Sequence, residues 1–218
     1  MKYYIRYVLY LYVLLGFSLS NAGSYNDFFA ALQRDDATTV RTLLAHGFDP
    51  NTVDSKGNPA LIAALREPSL KVVSALLENP LIQIEVRSAQ DESPLMIAAL
   101  KGDLEICKQL IARDADVNKP GWTPLHYAAT GGHLDILRLL LDNNAYIDAA
   151  SPNGSTPLMM AARYGTIDSV QLLLDAGADP TLKNIQGLDA MGFAKLIQRD
   201  ETVLLIAAAI RKLHKGTW

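Results

Sequence analysis

Four histidines, one cysteine and scattered carboxylates are the residues of this 218-residue chain that could do chemistry, and their spacing decides whether they do. A zinc hydrolase of the His-Glu-x-x-His kind sets two imidazoles on one helix face, a serine hydrolase elbow needs Gly-x-Ser-x-Gly, and a phosphate loop needs glycines running into Lys-Ser or Lys-Thr. None of the three occurs. His46, His126, His133 and His214 are far apart in the chain, apart from the pair His126 and His133. Cys107 stands alone, which excludes an internal disulfide and a cysteine-built zinc site. It lies between Ile106 and the Leu110-Ile111 pair, the setting of a small buried hydrophobe rather than of an exposed, acidified thiol. Asp114, Asp116, Asp175 and Asp179 recur at loop starts, but calcium needs several oxygens converging on one point. No catalytic residue, metal ligand or cofactor is expected. The alternative, an exported repeat protein with a thiol-based redox or hydrolytic role, needs a second reactive thiol or a convergent Ser, His and Asp, and no such spacing is visible.

Composition narrows the partners. Lys and Arg number 20 against 23 Asp and Glu, a net charge of −3, which gives no long-range attraction to nucleic acid or acidic membranes. Hydrophobic residues make up 50%, too many for a disordered chain. Aromatics make up 7%, thin for a base-stacking platform, and five tyrosines fall within the first twelve positions.

Those tyrosines belong to a distinct leading segment. Lys2 and Arg6 precede an apolar run from Tyr7 to Leu15, Phe17 and Leu19 continue it, and Ser20-Asn21-Ala22 supplies small residues before Gly23. This is the layout of a secretory signal peptide over residues 1–22. The apolar stretch is too short for the roughly 20 residues that a membrane span takes. No cysteine follows it for lipidation. Export across the inner membrane to a bacterial periplasm is expected. A eukaryotic secretory route, for which Asn153-Gly154-Ser155 would be a glycosylation sequon, and an uncleaved docking helix stay open.

The remainder repeats. A large apolar residue three positions before a small pair recurs at Phe28, Leu61, Leu95, Leu125, Leu158 and Met191, in steps of 33, 34, 30, 33 and 33. An apolar pair follows each: Leu43-Leu44, Leu76-Leu77, Leu110-Ile111, Leu140-Leu141, Leu173-Leu174 and Ile206-Ala207. A turn residue precedes all but the first: Gly57, Asp91, Gly121, Gly154 and Gly187. Within Gly154–Leu158, the glycine suits a positive-φ turn, Thr156 an N-cap and Pro157 the first helical position. Gly165 is expected to end this first helix in the left-handed conformation. Ile167, Val170, Leu173 and Leu174 form the buried stripe of a second helix that Gly177 closes. Gly47, Asp114 and Asn144 are its counterparts elsewhere.

Trp122-Thr-Pro-Leu-His-Tyr-Ala-Ala129 with Gly132-His133, Ser155-Thr-Pro-Leu-Met-Met-Ala-Ala162 with Gly165, and Ser93-Pro-Leu-Met-Ile-Ala-Ala99 with Gly102 resemble the signature line of the ankyrin repeat. The resemblance covers roughly residues 24–210. It implies an all-α solenoid of about six helix-turn-helix units with hairpin fingers, near 24–54, 55–87, 88–117, 118–150, 151–183 and 184–218, over a domain of residues 23–218. It assigns His126 and His133 to hydrogen bonds that tie helix and loop backbone together. It also expects polar caps at the two ends, Gln33 to Asp36 and Gln198 to Glu201. Two departures stand out. Pro59 and Pro68 replace an N-cap and a helix-ending glycine, so helix boundaries should shift there. The finger Asn118–Gly121 is three residues short, which predicts a notch.

A concave binding surface of finger tips and first-helix ends is what the resemblance leaves for function. Its candidate partner-binding residues are Trp122, Arg163, Tyr164, Lys101, Glu92 and Arg66, with Lys119 on the short finger. Trp122 is either an interface anchor or a ring packed on the neighbouring finger. The expected function is a non-enzymatic scaffold or inhibitor in the cell envelope. It would be a monomer with a protein partner, without nucleic acid, and not inserted in a membrane after signal cleavage.

Overall fold

The computed structural model describes residues 23–215. The expected signal peptide, residues 1–22, lies outside the described residues. The described residues divide into two compact units, residues 23–83 and residues 84–215.

The first unit holds α1 (residues 23–33), α2 (Ala37–Ala45), α3 (Ala60–Arg66) and α4 (Leu70–Glu78). α4 packs on both α2 and α3. Phe28, Leu32, Val40, Leu61, Ile62, Leu65, Val72 and Leu76 are buried, and the Phe28 ring lies 4.5 Å from that of Phe48. The two prolines act as expected. Pro59 stands where a capping side chain would, and α3 has no side-chain cap. Glu67 is held extended at φ −86°, ψ 165°, because the ring of a following proline disfavours the helical region, and α3 ends there. Asp35, expected on a polar outer cap, instead accepts the Val72 backbone N–H at 2.9 Å, and Ser69 Oγ donates to the Leu32 carbonyl at 2.6 Å. Both join one helix pair to the next.

The second unit holds α5 (Pro94–Lys101), α6 (Leu104–Ile111), α7 (Pro124–Gly131), α8 (Leu134–Asp142), α9 (Pro157–Arg163), α10 (Ile167–Asp175), α11 (Ala190–Leu196) and α12 (Asp200–Lys215). α5, α7, α9 and α11 form one layer, each packed on the next, and α6, α8, α10 and α12 form the other. Ser93, Thr123 and Thr156 are N-caps, each followed by proline at the first helical position, where a missing N–H costs nothing. Ala98-Ala99, Ala128-Ala129 and Ala161-Ala162 are fully buried where the first helices meet.

The turn column is left-handed throughout: Gly57, Asp91, Gly121, Gly154 and Gly187 all have positive φ, between 61° and 85°. Asp114, Asn144 and Gly177 follow second helices at φ 62°, 63° and 96°. Gly165 does not fit its expectation. Its φ is not in the left-handed region, and Tyr164 caps α9 at φ −120°. What requires glycine there is room. A Cβ at Gly165 would sit 2.3 Å from the Ala129 carbonyl oxygen and 3.0 Å from Ala161 Cα. Two further expectations need correction. Ile167 opens α10 and is 37% exposed, so the buried stripe starts at Val170. The last helix pair is not wholly polar outside, since Leu196, Ile197 and Leu204 are exposed at 58%, 41% and 66%.

His126 is fully buried and ties two repeats together. The Thr123 backbone N–H donates to its Nδ1 at 3.2 Å, so the ring proton resides on Nε2, which donates to the Ser155 carbonyl at 2.9 Å. In α5 and α9 a methionine sulfur, of Met96 or Met159, takes the Nδ1 role. Burial pushes the His126 pKa down from 6.5 to about 4, outweighing the backbone carbonyls that favour the charged ring. His133 Nε2 lies 2.9 Å from the Leu100 carbonyl, a bond of the expected kind.

Two outcomes follow from these contacts. Gly165→Ala forces a methyl against main-chain atoms that have little freedom to move, and should lower stability by about 1–3 kcal/mol in urea unfolding. The unfolded chain takes up a proton on His126 near pH 6.5, while the folded chain resists until about pH 4. Stability from His126 is therefore complete above pH 6.5 and is lost as pH falls toward 4, by about 3 kcal/mol in all. His126→Gln should flatten that part of a stability-against-pH curve measured by denaturant titration.

Candidate partner-binding surface

Fingers and first-helix ends carry the candidate residues, and side-chain turns shape the fingers. At Asp54, Ser88, Ser151 and Asn184 a side-chain oxygen accepts the backbone N–H four residues on, closing each finger. On the short finger Asn118 stands at the same offset before Gly121, but its Oδ1 accepts the Tyr146 backbone N–H instead. Lys119 of that finger, expected as a surface residue, is instead buried, with Nζ donating to the Asp91 carboxylate of the preceding finger and to the Pro120 carbonyl at 3.0 Å. Arg87 bridges Glu85 at 2.7 Å and Asp91 at 3.7 Å, so this edge is a closed ionic cluster.

Glu92 is half-buried and committed. It accepts from Ser88 Oγ at 3.1 Å and from the Tyr127 hydroxyl at 3.3 Å. Trp122 is half-buried, and its ring meets that of His126 edge-on, with centroids 5.2 Å apart. It therefore packs within its own helix start while keeping an open edge. Lys101 is exposed at the end of α5. Arg66 belongs to the first unit, is exposed, and donates to Asn58 Oδ1 at 3.0 Å.

Arg163 and Tyr164 are brought together. The Arg163 guanidinium carbon lies 5.2 Å from the Tyr164 ring centre and 5.7 Å from that of Phe193 on α11. Tyr164 is 57% exposed, whereas Arg163 is only half so, and its Nε is buried with no hydrogen-bond partner among the described residues. Leu196 and Ile197, which the candidate residues do not include, stand 33 positions after Arg163 and Tyr164, so the period puts them at the equivalent positions of the next repeat, and both are exposed.

Cys107 is fully buried, and burial, aided by Asp103, pushes its thiol up to about 12, so it holds its proton and is not nucleophilic. Among the described residues, no group of three or more His, Cys, Asp or Glu is placed to hold a metal ion. Met96, Met159 and Met160 are core residues. No described helix is long and apolar enough to cross a membrane.

Comparison with known proteins agrees with the repeat geometry. The family profile described as "Ankyrin repeats (3 copies)" matches residues 28–120 and 95–184. Ankyrin repeat and SAM domain-containing protein 6 of Rattus norvegicus is 29% identical over 124 residues, 55% of this chain and 13% of the relative. The nuclear factor NF-kappa-B p105 subunit of Gallus gallus is 33% identical over 159 residues, 70% of this chain and 16% of the relative. The chain thus spans a small part of the length of these relatives. The crystal structure of an ankyrin repeat domain from Acinetobacter baumannii is similar with a TM-score of 0.70 at 26% identity, covering 84% of this chain and 96% of that one. With paired helices at this period, left-handed finger turns and the profile spanning most of its length, the chain belongs to the ankyrin repeat family.

Proposed function

We propose that this chain is a non-enzymatic protein-binding scaffold or inhibitor, working through the fingers and first-helix ends of residues 84–215 after export to the cell envelope. The single observation that carries the binding reading is the patch around Tyr164. There an exposed aromatic, a half-buried arginine and the exposed Leu196 and Ile197 project from one layer of packed helices. Aromatics and arginine on a rigid support are the usual energetic centres of protein interfaces, because little conformational freedom is lost on docking. Ankyrin repeats commonly mediate protein–protein binding. The buried, protonated Cys107 and the structural roles of His126 and His133 leave the fold's chemistry-bearing groups already occupied. Export rests on the basic start, apolar run and small residues before Gly23.

Tyr164→Ala combined with Leu196→Ser tests the reading, because both side chains are mostly exposed and surface changes of this kind shift stability by only about 0.5 kcal/mol. In affinity capture from the native envelope fraction, a protein held by the wild type should be retained about tenfold less or worse by the double variant at unchanged thermal midpoint. Identical capture by both removes this face as the site. The intact mass of protein recovered from that fraction should place the first residue at Gly23. A chain starting at Met1 overturns export.

A further inference from the structure

We infer that Arg163 is a receptor for one carboxylate, an aspartate or glutamate side chain flanked by apolar residues in the protein partner. This rests on the protein-binding reading above and names the chemistry of its centre. A guanidinium presents five donors in a planar fork that matches a carboxylate. Other arginines spend donors inside the chain: the exposed Arg41 and Arg138 on Glu78 and Asp135, Arg87 on Glu85, and Arg199 on two main-chain carbonyls. Arg34 and Arg211 are exposed, so water can serve them. Arg163 is different. It is half-buried, its Nε is shut off from solvent, and it has no hydrogen-bond or ion-pair partner among the described residues.

Its orientation is nonetheless fixed. The Tyr164 and Phe193 rings lie within 5.2 and 5.7 Å of the guanidinium carbon, a cation–π arrangement that holds the plane without using its N–H groups. The acceptors at the end of α9 are taken, since Arg199 Nη1 donates to the carbonyls of Ala161 and Ala162 at 3.3 and 3.2 Å. Nε has no accessible surface and is closed to a partner as well, so an outside acceptor meets the two terminal nitrogens of the oriented fork. The surroundings select the kind. Tyr164 lies exposed beside the arginine, and Leu196 and Ile197 are exposed at the equivalent positions of the next repeat, whose helix packs on α9, which suits a carboxylate within an apolar segment. The chain's net charge of −3 disfavours a polyanion.

The test uses the full chain and a library of random short peptides displayed on phage. Peptides selected on the wild type should share one acidic position with apolar neighbours. In fluorescence anisotropy, replacing that acid by its amide should weaken binding to the wild type about tenfold or more. Arg163→Gln should bind acid and amide peptides alike, and Arg163→Lys, which keeps the charge but not the fork, should recover only part of the difference. An acid preference that persists in Arg163→Gln, or selected peptides without an acidic position that still lose affinity in Tyr164→Ala, overturns the carboxylate assignment while leaving the binding face standing. A short oligonucleotide or inorganic phosphate that displaces the acidic peptide better than free glutamate overturns the choice of carboxylate. Selected peptides indifferent to Tyr164→Ala count against the face itself, and so against both.

Discussion

The helices from α2 to α11 are seven to nine residues long. A helix that short does not persist in water, because nucleation costs more than two turns of hydrogen bonds return. Every helix therefore depends on being covered by neighbours, and the decisive constraint is how near one first helix can come to the next. Alanine pairs and Gly165 set that distance. Ala129, Ala161 and Ala162 are fully buried, and the Ala129 carbonyl lies against the position where any side chain on Gly165 would begin. The same close approach puts whatever is not needed for packing onto fingers and helix ends.

Packing layers this tightly leaves backbone groups that must find partners, and side chains supply them across repeats. His126 joins Thr123 to the Ser155 carbonyl, and Asn118 donates to the Asn144 carbonyl while accepting from the Tyr146 N–H at 2.8 Å. The His126 contacts are buried, so losing one would strand a partner, which is costlier than never having made the bond. A histidine here is consequently an architectural part, held neutral by burial, and its depressed pKa marks the fold rather than a catalytic base.

How far the sequence revealed this depends on whether a residue's constraint is local. Thr123-Pro124, Thr156-Pro157 and the five left-handed turn positions are constrained by their own backbone, so residue type alone exposes them. Glu67 before Pro68 is of the same kind. Gly165 was misread because a glycine answers two different demands, positive φ and absence of a side chain, and only the Ala129 carbonyl 36 positions earlier tells them apart. Lys119 was misread for a related reason. Its carboxylate partner lies on another finger 28 positions away, and a lysine in a polar loop otherwise reads as solvated. Among the candidate surface residues, the adjacency of Arg163 and Tyr164 was legible, whereas the Phe193 ring, 30 positions later and 5.7 Å from the guanidinium carbon, was not.

Arg163 cannot be explained as a helix-capping cation, although it is the last residue of α9, where a positive charge is favourable. That duty falls to Arg199, which reaches the α9 carbonyls from the next repeat. Nor does packing demand an arginine, since an apolar side chain would fill the space between Tyr164 and Phe193 without burying a donor that has no acceptor. Burying such a donor costs stability on the order of 1–3 kcal/mol. What the two rings leave is an oriented guanidinium whose terminal nitrogens have no acceptor in the fold, so an acceptor brought by a partner would meet them with little loss of side-chain freedom.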